Sequence, residues 1–115
     1  MRKPTILVAS HDPQLADVRK KLLEGAGYEV VAALDIRAVE DACRTGKVSL
    51  VMIGYSVPAV EKRRIWALAK QFCETTPILE LHYGEPPILT DIHTHQAYTA
   101  EDFITAIDSI LKKSA

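Results

Sequence analysis

The sequence predicts a single doubly wound α/β domain over residues 1–115, built on a parallel five-stranded sheet. Three observations carry that expectation. Strand-like and helix-like apolar patterns alternate along the chain. Leu50–Ile53 is apolar at every position, as a strand covered on both faces must be. The length, 115 residues, suits one domain with its own core, and no linker, repeat or low-complexity tract divides it.

Taken in order, Thr5–Ala9 reads as a short apolar strand. Asp12 then caps a helix with Pro13 at its first position. That helix runs to about Glu24 with Leu15, Val18, Leu22 and Leu23 as its core stripe, and Gly25 and Gly27 end it. Tyr28–Ala33 is a second strand, and Ile36–Thr45 a second helix closed by Gly46. After the Leu50–Ile53 strand, a third helix spans about Val60–Cys73 and draws on Val60, Trp66, Ala69 and Phe72 for burial. Pro77–His82 is a fourth strand. In 83–90, Gly84, Pro86 and Pro87 argue against a long helix. Asp91–His95 reads as a fifth strand. A last helix, capped by Thr99 with Asp102 three residues on, runs to about Lys112 with Phe103, Ile107, Ile110 and Leu111 inward.

Composition narrows the function. The formal net charge is −1, so no global field favours nucleic acid or an anionic membrane surface. No apolar run is long enough to span a bilayer, and the first residues lead straight into a strand without a signal-peptide pattern. The expectation is a cytoplasmic protein with no cofactor and no enzymatic activity. Cys43 and Cys73 have no CxxC spacing and read as separate buried thiols, not a disulfide or a metal pair.

The run Leu50-Val51-Met52-Ile53-Gly54-Tyr55-Ser56-Val57-Pro58 resembles the third strand and following loop of a response-regulator receiver domain. Ile6-Leu7-Val8-Ala9-Ser10-His11-Asp12-Pro13 is similar to that family's first strand and acidic loop, and Gly27-Tyr28-Glu29-Val30 to its approach to the second strand. The resemblance implies a flavodoxin-like sheet of order 2-1-3-4-5. Because residues 83–95 are fewer than the family has between its fourth and fifth strands, it also implies a fourth helix shortened or missing.

The same resemblance implies a degenerate phosphorylation pocket. Gly54 stands at the position of the phosphoacceptor aspartate, and Ser10 and His11 at the magnesium-binding acid pair. His82 takes the place of the switch hydroxyl, and Gln96 that of the lysine after the fifth strand. Glycine has no nucleophile, and Ser10 with His11 cannot supply the carboxylate oxygens magnesium prefers. The chain thus looks like a pseudo-receiver: a module of two-component signal transduction or a phosphorelay that binds a protein partner without being phosphorylated. By the same resemblance its interaction face is the strand 4–strand 5 side, with His93, His95 and Phe103, used for a partner or a homodimer.

The histidines offer an alternative, a metal- or small-ligand sensor. His93 and His95 lie two apart, which on a strand places both on one face, and Glu80 and His82 have the same relation on the neighbouring strand. In type and number these four could ligate zinc. The plainer reading makes them polar residues on a face that the shortened helix leaves to water. Lys62-Arg63-Arg64 reads as a solvated helix face and Trp66 as core.

Overall fold

Helix starts and stops fall where capping chemistry puts them. The computed structural model describes residues 3–72, 74–89, 92–96 and 102–114, with side chains of the last helix described to Lys112. Strand β1 (Thr5–Ala9) leads to helix α1 (Pro13–Gly25), whose first free amides, those of Gln14 and Leu15, donate to the Asp12 carboxylate at 2.9 and 3.3 Å. Asp12 is therefore a helix cap. At the other end the Tyr28 amide donates to the Leu23 carbonyl and the Gly27 amide to the Glu24 carbonyl. This paired closure needs the left-handed φ of +99° that Gly27 supplies.

Strand β2 (Glu29–Ala33) and helix α2 (Ile36–Arg44) follow, the helix capped by Asp35 through the Ala38 amide at 2.8 Å. Strand β3 (Leu50–Ile53), helix α3 (Ala59–Phe72), strand β4 (Ile78–His82), strand β5 (His93–Gln96) and helix α4 (Asp102–Ser114) complete the order. All strand pairs are parallel, and the sheet order is β2-β1-β3-β4-β5. Residues 83–89 and 92, the described part of the β4–β5 connection, contain no helix. Thr99, Asp91 and Cys73, expected as a cap, a strand start and a helix end, lie outside the described residues.

Alternation along the central strands divides the core into two layers. Leu7, Ala9, Val51, Ile53 and Ile78 pack with Val39, Cys43, Ile65 and Ala69 from α2 and α3. Ile6, Val8, Leu50, Met52, Leu79 and Leu81 pack with Leu23 of α1 and with Phe103, Ile107 and Ile110 of α4.

Two helices bury only part of the set their apolar pattern suggests, Leu23 in α1 and Ala69 in α3, and add others. In α1 the buried set is Ala16, Arg19 and Leu23, while Val18 is exposed. In α3 it is Lys62, Ile65 and Ala69, while Val60 and Trp66 face outward, Trp66 beneath the Lys70 ammonium at 6.0 Å. The inward face of each helix thus carries a cation with an internal destination.

Candidate functional site

The carboxyl ends of the strands are where doubly wound sheets bind ligands, and here one buried cation occupies that end. Gly54 follows β3 and donates its amide to the Ala9 carbonyl at 2.8 Å, which fixes its Cα against the end of β1. A Cβ at this position would stand 2.6 Å from Arg19 Nη1 and 3.2 Å from that carbonyl oxygen. The guanidinium of Arg19, 4 % exposed, therefore fills the space in which a side chain at position 54 would begin.

Arg19 reaches this place from α1 and lies 5.0 Å from the Tyr55 ring centroid, within cation–π range. Burial lowers its proton affinity below the ordinary arginine value, and the Tyr55 and Asp12 side chains partly offset that. Its Nη1 has no hydrogen-bond partner among the described residues.

The other residues expected in the pocket have separate duties. Ser10 is buried, and its hydroxyl lies 3.1 Å from both the amide and the carbonyl of Asp12, bracing the turn into α1. The His11 ring turns away to pair with Glu61 of α3, and its amide donates to Ser56 Oγ at 3.4 Å. His82 donates from Nδ1 to the Glu85 carbonyl at 3.0 Å, closing the turn after β4. Gln96 is exposed and pairs in register with His82. Ser10 and Gly54 thus lie at the interior of the strand ends, while His11, His82 and Gln96 lie nearer solvent.

The zinc reading fails on register. Leu79 pairs with His93 and Leu81 with His95, so the two β5 histidines share the α1–α4 face of the sheet. Glu80 and His82, the alternate residues of β4, point to the opposite face. Two ligands on each side of a sheet cannot converge on one ion. Among the described residues no group of three His, Cys, Asp or Glu side chains is placed to hold a metal. His95 instead has Nε2 3.3 Å from the Asp102 carboxylate. Phe103, expected on an interaction face, is 2 % exposed and belongs to the core. His93 is the one of the three that is fully on the surface.

Glu80 has an internal role of its own. Its carboxylate is fully buried and accepts from Lys62 Nζ at 2.8 Å, from the Ile88 amide at 2.9 Å and from the Leu89 amide at 2.8 Å. Burial pushes this carboxyl up, but the Ile88 amide, the Lys62 ammonium and the Leu89 amide together hold it below the usual range. One carboxylate therefore ties α3 and the β4–β5 connection to the sheet. Lys62, expected in solvent, is 5 % exposed because it answers this charge.

The sequence assigns no role to Arg19 or Tyr55 and places Lys62 in solvent. A signal exists for Arg19 and Lys62. Arg19 stands four residues from both Leu15 and Leu23, and Lys62 three before Ile65 and seven before Ala69. Charges on the inward stripe of a helix need buried partners.

No protein-family model matches the chain, and no curated protein matches it. Solved structures do. A response regulator receiver protein from Sinorhizobium medicae WSM419 superposes with a TM-score of 0.80 at 18% identity, over 99% of this chain and 98% of that one. The signal receiver domain of an HD domain-containing protein from Pseudomonas fluorescens Pf-5 gives 0.82 at 18% identity, over 98% of each chain. A CheY-like response regulator receiver domain protein from Methanospirillum hungatei JF-1 gives 0.82 at 17% identity, over 98% of this chain and 97% of that one. The chain has the receiver fold. Within that fold Gly54 follows the third strand with the Arg19 guanidinium in the adjoining space, and the β4–β5 connection has no helix among its described residues.

Proposed function

We propose that this chain is a pseudo-receiver of two-component-type signalling, a module that binds a protein partner and is not phosphorylated at the end of its third strand. The observation that carries this reading is Arg19 beside Gly54. Where phosphoryl transfer needs a nucleophile and a magnesium site, this pocket offers a backbone methylene and a fixed cation. An arginine at that point also opposes occupancy by a second cation. Ser10 and His11, the resemblance's counterparts of the acid pair, are engaged with Asp12 and Glu61.

The test is incubation with acetyl phosphate and magnesium, followed by intact mass and peptide mapping. The expected result is no acyl phosphate. Stoichiometric, base-labile labelling of Asp12 or another carboxylate at the strand ends would overturn the reading.

The partner side is the β4–β5 edge. Strand β5 ends the sheet, its His93 and Gln96 are exposed, and an extended edge can pair with another chain. This surface serves a signalling partner in the cytoplasm or a second copy. Sedimentation of the wild type and of His93→Glu, with and without candidate histidine kinases or regulators, checks it. An interface confined to α1 and α2 would refute this assignment.

A further inference from the structure

Between the β3–α3 loop and the connection after β4 lies a cleft of about 280 Å³ that neither phosphorylation nor a protein partner explains. Its walls include Tyr55, Val57, Tyr83 and Ile88, and its polar groups include Lys62 and His82. The two tyrosine rings have centroids 5.6 Å apart and planes at 36°, so they present faces that are not stacked flat on each other. Tyr55 and Tyr83 are both exposed large aromatics.

The polar groups are constrained in what they can recognise. Lys62 Nζ is nearly buried and donates to Glu80 at 2.8 Å, a bond that uses one of the three hydrogens of its ammonium. His82 uses Nδ1 as a donor to the Glu85 carbonyl, which leaves Nε2 of the neutral ring as an acceptor. The backbone around them is held. Glu80 fixes Ile88 and Leu89, and the His82–Glu85 bond fixes the turn, so the cleft is formed before anything enters it.

We infer that this cleft binds a small planar ring bearing a carbonyl or carboxylate oxygen. The ring stacks against the tyrosine faces, and its oxygen accepts from Lys62. Stacking on Tyr is tolerant of ring identity, whereas a buried ammonium, with three donors, favours an acceptor on whatever enters beside it. The site is independent of the pseudo-receiver reading, so each stands if the other fails.

The experiment is a titration of the 15N-labelled chain followed through amide shifts, with three probes. Benzoate supplies a ring and a carboxylate, uridine a ring and a neutral carbonyl, and cyclohexanecarboxylate an acid without a flat ring. The expected result is saturable shifts at Tyr55, Tyr83 and Ile88 with benzoate, uridine or both. Which of the two binds identifies the oxygen as charged or neutral. Cyclohexanecarboxylate should bind roughly tenfold more weakly than benzoate if benzoate binds. Tyr83→Ala, on an exposed loop and safe for the fold, should weaken the better probe roughly tenfold. Lys62→Met, which leaves Glu80 and its bonds to the Ile88 and Leu89 amides in place, should remove the oxygen preference. Should that variant not fold, Tyr83→Ala still decides. Absence of saturation with both planar probes overturns the inference. So do shifts confined to residues away from the cleft, and binding that Tyr83→Ala leaves unchanged.

Discussion

Replacing Glu80 by leucine should be among the most damaging single substitutions in the chain, and the size follows from what the carboxylate holds. The substitution leaves the Lys62 ammonium buried without a counter-charge, which costs about 3–5 kcal/mol. The Leu89 amide, half-buried, loses its acceptor for about 1 kcal/mol more, while the more exposed Ile88 amide turns to water. A total near 5 kcal/mol, divided by a urea slope of roughly 1.5 kcal/mol/M for a domain of this size, lowers the midpoint by about 3.3 M. Removing both charges, Lys62→Met with Glu80→Leu, should recover some 2–3 kcal/mol of that, because a buried ion pair can often be replaced by apolar groups of similar volume. Urea denaturation followed by the fluorescence of Trp66, the chain's one tryptophan, reads all three proteins. Faster hydrogen exchange at Ile88 and Leu89 in both mutants reports the lost tether. The reasoning is refuted if Glu80→Leu costs under about 1 kcal/mol, or if the double mutant is no better than the single one.

Because the folded-state carboxyl of Glu80 sits below its ordinary value, its contribution is present above the unfolded value of roughly 4.3 and is lost as pH falls through the lower, folded one. The midpoint gap between wild type and Glu80→Gln should accordingly be constant near neutrality and close only below about pH 4. Tyr28 is raised to about 12 by burial, with the bond to Asp108 adding to it. In ultraviolet titration its phenol should ionise at that raised value, and Asp108→Ala should move it toward the ordinary value. The stabilising effect of that bond is present below the unfolded value of roughly 10 and disappears as pH rises through the folded one. Phe103→Ala should cost about 3–5 kcal/mol in the same urea assay, as the loss of a fully packed core ring does, and should leave partner affinity per folded molecule unchanged.

How much of this was legible depended on whether a feature is local. The caps at Asp12 and Asp35, the left-handed turn at Gly27 and the apolar run of β3 rest on neighbours in the chain, and Asp12, Gly27 and the β3 run were read directly from sequence. The sheet order came from resemblance to receivers. The vacancy of chemistry at position 54 was equally plain, since glycine is glycine in any fold. What fills it was not plain. Arg19 lies on a helix remote in sequence from Gly54, and only the approach of α1 to the strand ends brings them together. The histidines failed for a related reason. Two-residue spacing put each pair on one face of its own strand. Whether the pairs share a face depends on the β4–β5 register, which no pattern within either strand determines. Phe103 was read correctly as inward-facing on its helix and was then placed on a surface by analogy. The helical pattern was the better guide.

The grip of Glu80 on Ile88 and Leu89 has a thermal consequence. A helix laid on a sheet is held through apolar area, and releasing it carries a large positive heat capacity. Residues 83–88 are exposed and the segment is held chiefly through the Glu80 carboxylate on the Ile88 and Leu89 amides, with Leu89 alone packed on the core, so its release uncovers little apolar surface. The free energy of that local opening should vary almost linearly with temperature, while that of the whole sheet follows a dome. Near freezing the two diverge. The core loses hydrophobic support while the tether does not, and the segment that in warm solution opens first becomes, relative to the fold beneath it, better attached.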